Sequence, residues 1–172
     1  PVNDTLRAIG SDNTNYSITI TSNTAATAEG APAPTATSTK DTNIVCNSDS
    51  SCNTPFLGSA YTDEGPKTST RSTRLFGLDK LNTYALTANA GTVTTVRSLG
   101  VTSISTVNGY DINPANNQGV AIFTIDGALS IYAIDSTLGG SGNAATKLTS
   151  LPSLPSPETY IGLSLVTGAN PT

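Results

Sequence analysis

The chain has 172 residues, a formal net charge of −4, eight Lys and Arg residues, and no His, Met or Trp. Charged residues make up 12% of it, about half of the usual share, which together with abundant Ser, Thr, Asn, Ala and Gly is typical of a β-protein with polar turns. The acidic balance argues against nucleic acid as a partner, because nucleic acid requires a basic track, and no apolar run approaches the ~20 residues of a membrane span.

The N-terminal part of the chain predicts two strands and a long irregular segment. The runs TLRAIG and YSITITSN predict strands over 5–10 and 16–22. Residues 23–43 consist mainly of Ala, Thr and Pro, a composition found in linkers, polyproline arms and glycosylated stalks. The first residue is Pro1 rather than Met, and we interpret the chain as a mature, exported protein whose leader has been removed.

Two cysteines support the interpretation of an exported protein. Cys46 and Cys52 bracket the polar sequence NSDSS, and a disulfide that closes this short loop is expected in an oxidising compartment. Free thiols are the alternative, and two thiolates without His are too few for a metal site. Sequons at Asn3 and Asn15 are candidate glycosylation sites, although they arise readily by chance in a chain this rich in Asn, Ser and Thr.

The second half of the chain contains eight short β-like runs separated by Gly, Asn, Asp and Pro. The clearest is AIFTI-DG-ALSIYAI, where Asp126-Gly127 indicates a two-residue hairpin turn. In this hairpin Ile122 faces Ile131, and Phe123 lies on the opposite face. Both faces are apolar, so the hairpin is expected to be covered on both sides by another sheet of its own chain or by a neighbouring subunit.

The pattern also contains an internal repeat. LFGLD at 75–79 matches IFTID at 122–126, an offset of 122 − 75 = 47, and YAL at 84–86 matches YAI at 132–134. A period of about 40–50 residues with several strands per unit is typical of propeller blades. Chance similarity in a chain rich in Thr and Ala is the alternative.

A set of scaffold positions within this repeat supports a family resemblance. They are Leu75, Gly77, Leu78, Asp79, Tyr84, Ala85, Leu86, Gly91, Val96, Gly109, Asp111, Pro114, Leu129, Tyr132 and Asp135. Through them, residues 72–150 resemble the β-repeats of an uncharacterised family of secreted bacterial propeller-like proteins. The resemblance implies a propeller-like β-repeat in an exported protein and no particular activity. The first 70 residues depart from the repeat, and the chain is short for a closed propeller of about four to eight blades.

The C-terminal part predicts a strand on a stiff tether. The Pro-rich sequence SLPSLPSPE at 150–158 cannot pair well inside a sheet and is expected to be extended. In the following run, TYIGLSLVTG, one face carries Ile161, Leu163 and Leu165. We predict that this assembly strand adds to a sheet edge, either in its own chain or in a neighbouring copy.

The sequence contains no recognisable catalytic arrangement. Without His, no Ser or Cys has the usual general base, and neither a GxSxG elbow nor a phosphate-binding loop is present. Asp63-Glu64 is the only adjacent acidic pair and is interpreted as a solvated turn, because adjacent side chains rarely face one site. We therefore predict no catalytic residues, no cofactor and no metal.

These observations predict an all-β protein, either an antiparallel sandwich or a propeller-like β-repeat. Residues 1–71 are expected to hold the N-terminal strands, the extended segment and the disulfide loop, and residues 72–172 the repeat core with the C-terminal strand. The preferred function is a non-enzymatic subunit of an extracellular filament or surface layer, a homo-oligomer that assembles by strand and sheet packing between copies. The alternative is a secreted domain that binds a glycan or another cell-surface ligand. A weaker third reading is a carbohydrate-active enzyme with isolated carboxylates.

Overall fold

The computed structural model of the chain describes residues 5–21, 35–46, 56–62, 74–113, 116–137, 140–155, 158, 160 and 162–165. The regular elements in these ranges are all β-strands, so the all-β prediction is confirmed. They are β1 (Thr5–Ile9), β2 (Asn15–Thr21), β3 (Thr35–Lys40), β4 (Gly58–Tyr61), β5 (Leu75–Leu78), β6 (Asn82–Thr87), β7 (Thr92–Ser98), β8 (Ile104–Ile112), β9 (Gly119–Ile125), β10 (Ala128–Ile134) and β11 (Ala145–Ser150).

The strands form three antiparallel sheets in which chain neighbours are also sheet neighbours. The first sheet has three strands in the order β1-β2-β3. The second sheet, β4-β5-β6-β7, and the third sheet, β8-β9-β10-β11, each have four. Each sheet is therefore a simple meander, and the second and third sheets repeat one four-stranded plan.

Two strands were not predicted from the sequence. Strand β3 lies inside the low-complexity segment and is exposed along its whole length, but each of its residues pairs with one in β2. Strand β4 has the sequence GSAY, whose first three residues are weak β-formers, and it pairs with β5. In both cases the intrinsic β-propensity of the segment is low, and backbone pairing with the neighbouring strand stabilises the extended conformation.

The hairpin of β9 and β10 is confirmed in its turn and its register. Asp126 and Gly127 both adopt positive φ, at 50° and 78°, and Ile122 lies opposite Ile131. Phe123 is 0% exposed on one face, and Ile122 is only 4% exposed on the other. The hairpin is thus covered on both sides, as its apolar faces predicted.

Two apolar cores hold the three sheets in a stack. The larger core lies between the second and third sheets and includes Phe76, Leu78 and Phe123. The smaller core contains Leu75 and Tyr84 of the second sheet, against which Ile9 of the first sheet packs. Because side chains alternate along a strand, Leu75 and Phe76 serve opposite faces of β5. The second sheet is therefore the middle layer of the stack.

An ion pair fastens the edge of the second sheet to the third. Arg97 Nη1 lies 2.7 Å from Asp135 Oδ2, and the same guanidinium donates to the backbone oxygens of Ser141, Gly142 and Asn143. Hydrogen bonds from Thr137, followed in weight by the bond and charge of Arg97, lower the pKa of Asp135 to about 2.

This depressed pKa predicts a pH-dependent contribution to stability. Because the folded pKa lies below the unfolded value of about 3.9, the ionised carboxylate stabilises the fold above pH ~4, and this contribution is lost as the pH falls toward 2. The Asp135 side chain is 45% exposed, so we expect at most about 1 kcal/mol. Urea unfolding of the wild type and of Asp135→Asn from pH 2 to 6 measures it. The stability difference between the two proteins should shrink toward pH 2, and a constant difference would contradict the assignment.

Candidate assembly surfaces

The Asp79 carboxylate holds the backbone of a turn. Asp79 Oδ1 accepts hydrogen bonds from the amides of Leu81 and Asn82, each at 2.6 Å, and Tyr84 Oη donates to Asp79 Oδ2. This network fixes the turn between β5 and β6. Across the described part of the chain, no group of three or more His, Cys, Asp or Glu side chains could hold a metal ion.

The structure describes two of the four predicted cysteine and sequon residues. Cys46 is described, whereas Cys52 and Asn3 lie outside the described residues, so the disulfide stays a prediction. Asn15 is fully buried, and its Nδ2 donates to the backbone oxygens of Thr42 and Ala88. In the folded chain this amide nitrogen is a structural donor, and a glycan attached to it would displace both hydrogen bonds.

Arg7 joins the first sheet to the second. Its guanidinium donates to Asp41 Oδ2 at 2.6 Å, Tyr61 Oη at 3.0 Å and Asn89 Oδ1 at 2.6 Å, as well as to Asn15 Oδ1 and the Ala88 oxygen. Its side chain is only 5% exposed. This one residue therefore ties β1 to β4 and to the end of β6.

The C-terminal segment, residues 160 and 162–165, lies on the outer face of the third sheet. Asn108 Nδ2 donates to the Tyr160 oxygen at 2.9 Å, and the Leu165 amide donates to Asp111 Oδ2 at 2.7 Å. Leu163 packs on Gly109, where an added Cβ would lie only 2.6 Å from the Leu163 nitrogen. The structure thus places Leu163 and Leu165, both half-buried, along β8, while Ile161 lies outside the described residues.

This contact repeats one that is found inside the stack. Strand β4 lies against β8, and a Cβ added to Gly58 would lie 2.8 Å from Tyr110 Cβ. Gly58 thus contacts the residue after Gly109, and Gly109 contacts the residue after Gly162. The spacings between these glycines are 109 − 58 = 51 and 162 − 109 = 53 residues. The C-terminal segment is therefore related to β8 as β8 is related to β4.

In the described part of the chain, the first sheet has one edge without a paired strand and one face without a covering sheet. Among the described residues no strand pairs with β1 on the edge away from β2. The face turned away from the second sheet carries the apolar or aromatic side chains of Leu6, Ala8, Tyr16, Ile18, Ile20 and Ala36, together with the polar Ser38 and Lys40 of β3. Leu6 is 49% exposed and Ile20 is 37% exposed. We call this surface the outer face of the first sheet.

Sequence reasoning missed this surface, although a signal for it was present. In TLRAI, Leu6 and Ala8 alternate with Arg7 and Ile9. A strand that is apolar on one face and mixed on the other resembles a half-exposed strand, and only the packing of Ile9 shows which face is covered.

Comparison with known proteins identifies a family. The sequence matches the domain of unknown function DUF4394 over residues 1–156. The chain belongs to this family. No curated protein and no solved structure matches the chain. The predicted resemblance to an uncharacterised family is thus supported at that level, and family membership brings with it no activity.

The match to this family spans all three sheets, from β1 to β11. The outer face of the first sheet therefore belongs to the family domain and not to an appended arm. Within the described ranges, no helix is long and apolar enough to cross a membrane.

Proposed function

We propose that the protein is a non-enzymatic structural subunit that assembles with copies of itself outside the cell, in a filament or surface layer. One observation carries this proposal. Among the described residues, the first sheet has an apolar face and a strand edge without a paired strand, whereas the C-terminal segment lies on the third sheet. Uncovered apolar surface next to an open edge is typical of a protein that associates through its sheets.

We also propose that the sheets are consecutive blades of a propeller-like array. The second and third sheets share one meander plan, and β4, β8 and the C-terminal segment follow one another through the same glycine contact. Blades that stack face to face with their first strands adjacent account for both features. In such an array each unit is stabilised by its neighbours, so a sheet without a covering neighbour gains stability when another copy packs on it.

Sedimentation velocity of the full chain at concentrations from about 1 to 200 μM tests the proposal, in the range where modest protein interfaces associate. We expect species heavier than the 17.4 kDa chain that increase with concentration. Negative-stain electron microscopy of the same samples should show regular assemblies.

A single 17.4 kDa species at every concentration would reject self-assembly as the function. The matched variant Leu81→Lys changes a 53% exposed leucine in the β5–β6 turn, away from the outer face of the first sheet. It should assemble like the wild type, which controls for the added charge.

A further inference from the structure

We infer that the open edge of β1 is an acceptor site for the C-terminal segment of a second copy. This inference rests on the proposed self-assembly and specifies the contact between two copies, which we call the joint. The second copy donates its C-terminal segment as a first strand of the first sheet, and its third sheet covers the outer face that includes Leu6. The contact is head-to-tail, since donor and acceptor lie at opposite ends of the stack.

Among the described residues, the first sheet has no counterpart of β4 or β8. In the second and third sheets the first strand, β4 or β8, pairs with the strand that follows it. In the first sheet, β1 corresponds to the second strand of the other two sheets, β5 or β9. It pairs on one edge with β2, which in turn pairs with β3, and its other edge is where a first strand would pair. Arg7 of β1 donates a hydrogen bond to Tyr61 of β4, so β1 lies on the same side of the stack as the first strands β4 and β8.

The C-terminal segment lies where a first strand would lie, beside β8, but no following strand pairs with it among the described residues. Its contacts with β8 pass through the side chains of Asn108 and Asp111 and through Gly109. The Tyr160 oxygen and the Leu165 amide are bonded to these β8 side chains. In the joint, the backbone between them, at residues 162–164, pairs with another sheet, because strand addition supplies main-chain hydrogen bonds together with side-chain packing.

The joined pair covers the outer face of the first sheet and the part of the third sheet's outer face that is still accessible, where Ile122 is already buried but Ile131 is half-buried. When a neighbour's first sheet is built onto the C-terminal segment, its outer face lies over the outer face of the donor's third sheet, where Ile122 and Ile131 lie. This repeats the packing between the second and third sheets. Two copies joined at both ends would contain six four-stranded sheets, within the ~4–8 of closed propellers. If the rotation that relates successive copies does not close a ring, the same head-to-tail contact continues into a filament.

A complementation experiment with full-length variants tests the joint. Leu6→Lys places a charge at the acceptor, and Leu163→Asp places one in the donor segment, so each variant alone should associate at least about tenfold more weakly than the wild type. A mixture contains one intact acceptor and one intact donor, and we expect a 1:1 complex in sedimentation velocity. Circular dichroism and thermal melts establish that both variants are folded. Leu6→Lys is the safer of the two, because Leu6 is already half exposed.

The outcomes separate this joint from the broader proposal. If the wild type assembles and Leu6→Lys assembles equally well, as Leu81→Lys should, the joint is wrong while self-assembly stands. If both variants are impaired but their mixture forms no complex, the contact is not head-to-tail and the joint is again wrong. If the wild type itself remains a single chain, the proposed function is lost first. Restoration of association by mixing supports the joint.

Discussion

Replacing Phe123 with alanine should lower the free energy of unfolding by about 3–5 kcal/mol, the usual loss when a buried aromatic side chain leaves a cavity. Phe123 is completely buried between the second and third sheets, and its ring centroid lies 5.0 Å from that of Tyr132. The truncation removes apolar burial and this ring contact together, and the surrounding strands are too constrained by their ladders to close the cavity. Urea unfolding followed by circular dichroism measures the loss.

A matched control separates cavity formation from truncation itself. Leu148→Ala shortens a leucine on β11 that is 58% exposed, and it should change stability by no more than about 0.5 kcal/mol. Because the core around Phe123 spans two sheets, the variant should shift one cooperative transition. A loss below ~1 kcal/mol, less than core truncations of this kind produce, would show that the interface between these sheets is not tightly packed.

Replacing Arg7 with alanine should cost a comparable amount, about 3–5 kcal/mol, for an electrostatic reason. The change leaves the Asp41 carboxylate without the guanidinium that now lies 2.6 Å away, and it removes the donor to Tyr61 Oη. Buried polar groups that lose their partners retain the cost of desolvation. Arg7→Lys keeps the charge without the five-donor fork, so its loss should be intermediate.

The Arg97–Asp135 ion pair, whose carboxylate is 45% exposed, provides the comparison for Arg7. Arg97→Ala removes a guanidinium whose partner, Asp135, is partly solvated, and the expected loss is about 1 kcal/mol. A double-mutant cycle between Arg7 and Asp41 should give a coupling energy well above the ~0.5 kcal/mol seen for independent sites. Equal losses for Arg7→Ala and Arg97→Ala would contradict the assigned role of Arg7 in joining two sheets.

The sequence by itself predicted the elements whose local signals agree with one another. The Asp126-Gly127 turn, the register of Ile122 with Ile131 and the burial of both hairpin faces all appear in the structure. A two-residue turn leaves a single register, and apolar residues on both faces require two covering layers. Strands β1 and β2 also follow from their β-branched and alternating residues.

Only the tertiary structure decided where weakly patterned segments pair. Strand β3 lies in a Thr- and Ala-rich segment, and β4 begins with Gly and Ser, so neither carries a clear local signal. The edges of β2 and β5 fix them in place. Through β4, the second sheet draws on residues before position 72, where the sequence alone placed the start of the repeat core.

The candidate assembly surface depends on the same distinction. The alternation of the C-terminal segment predicted a strand that adds to a sheet edge, whereas the alternation in β1 was present in the sequence but was not used. Which face of β1 is covered, and that Leu163 lies on Gly109, depends on side chains more than 50 residues apart, since 163 − 109 = 54. Such contacts follow from the packing of complete sheets, because the free energy of a pairing lies in its cross-strand and face-to-face neighbours and not in the strand alone.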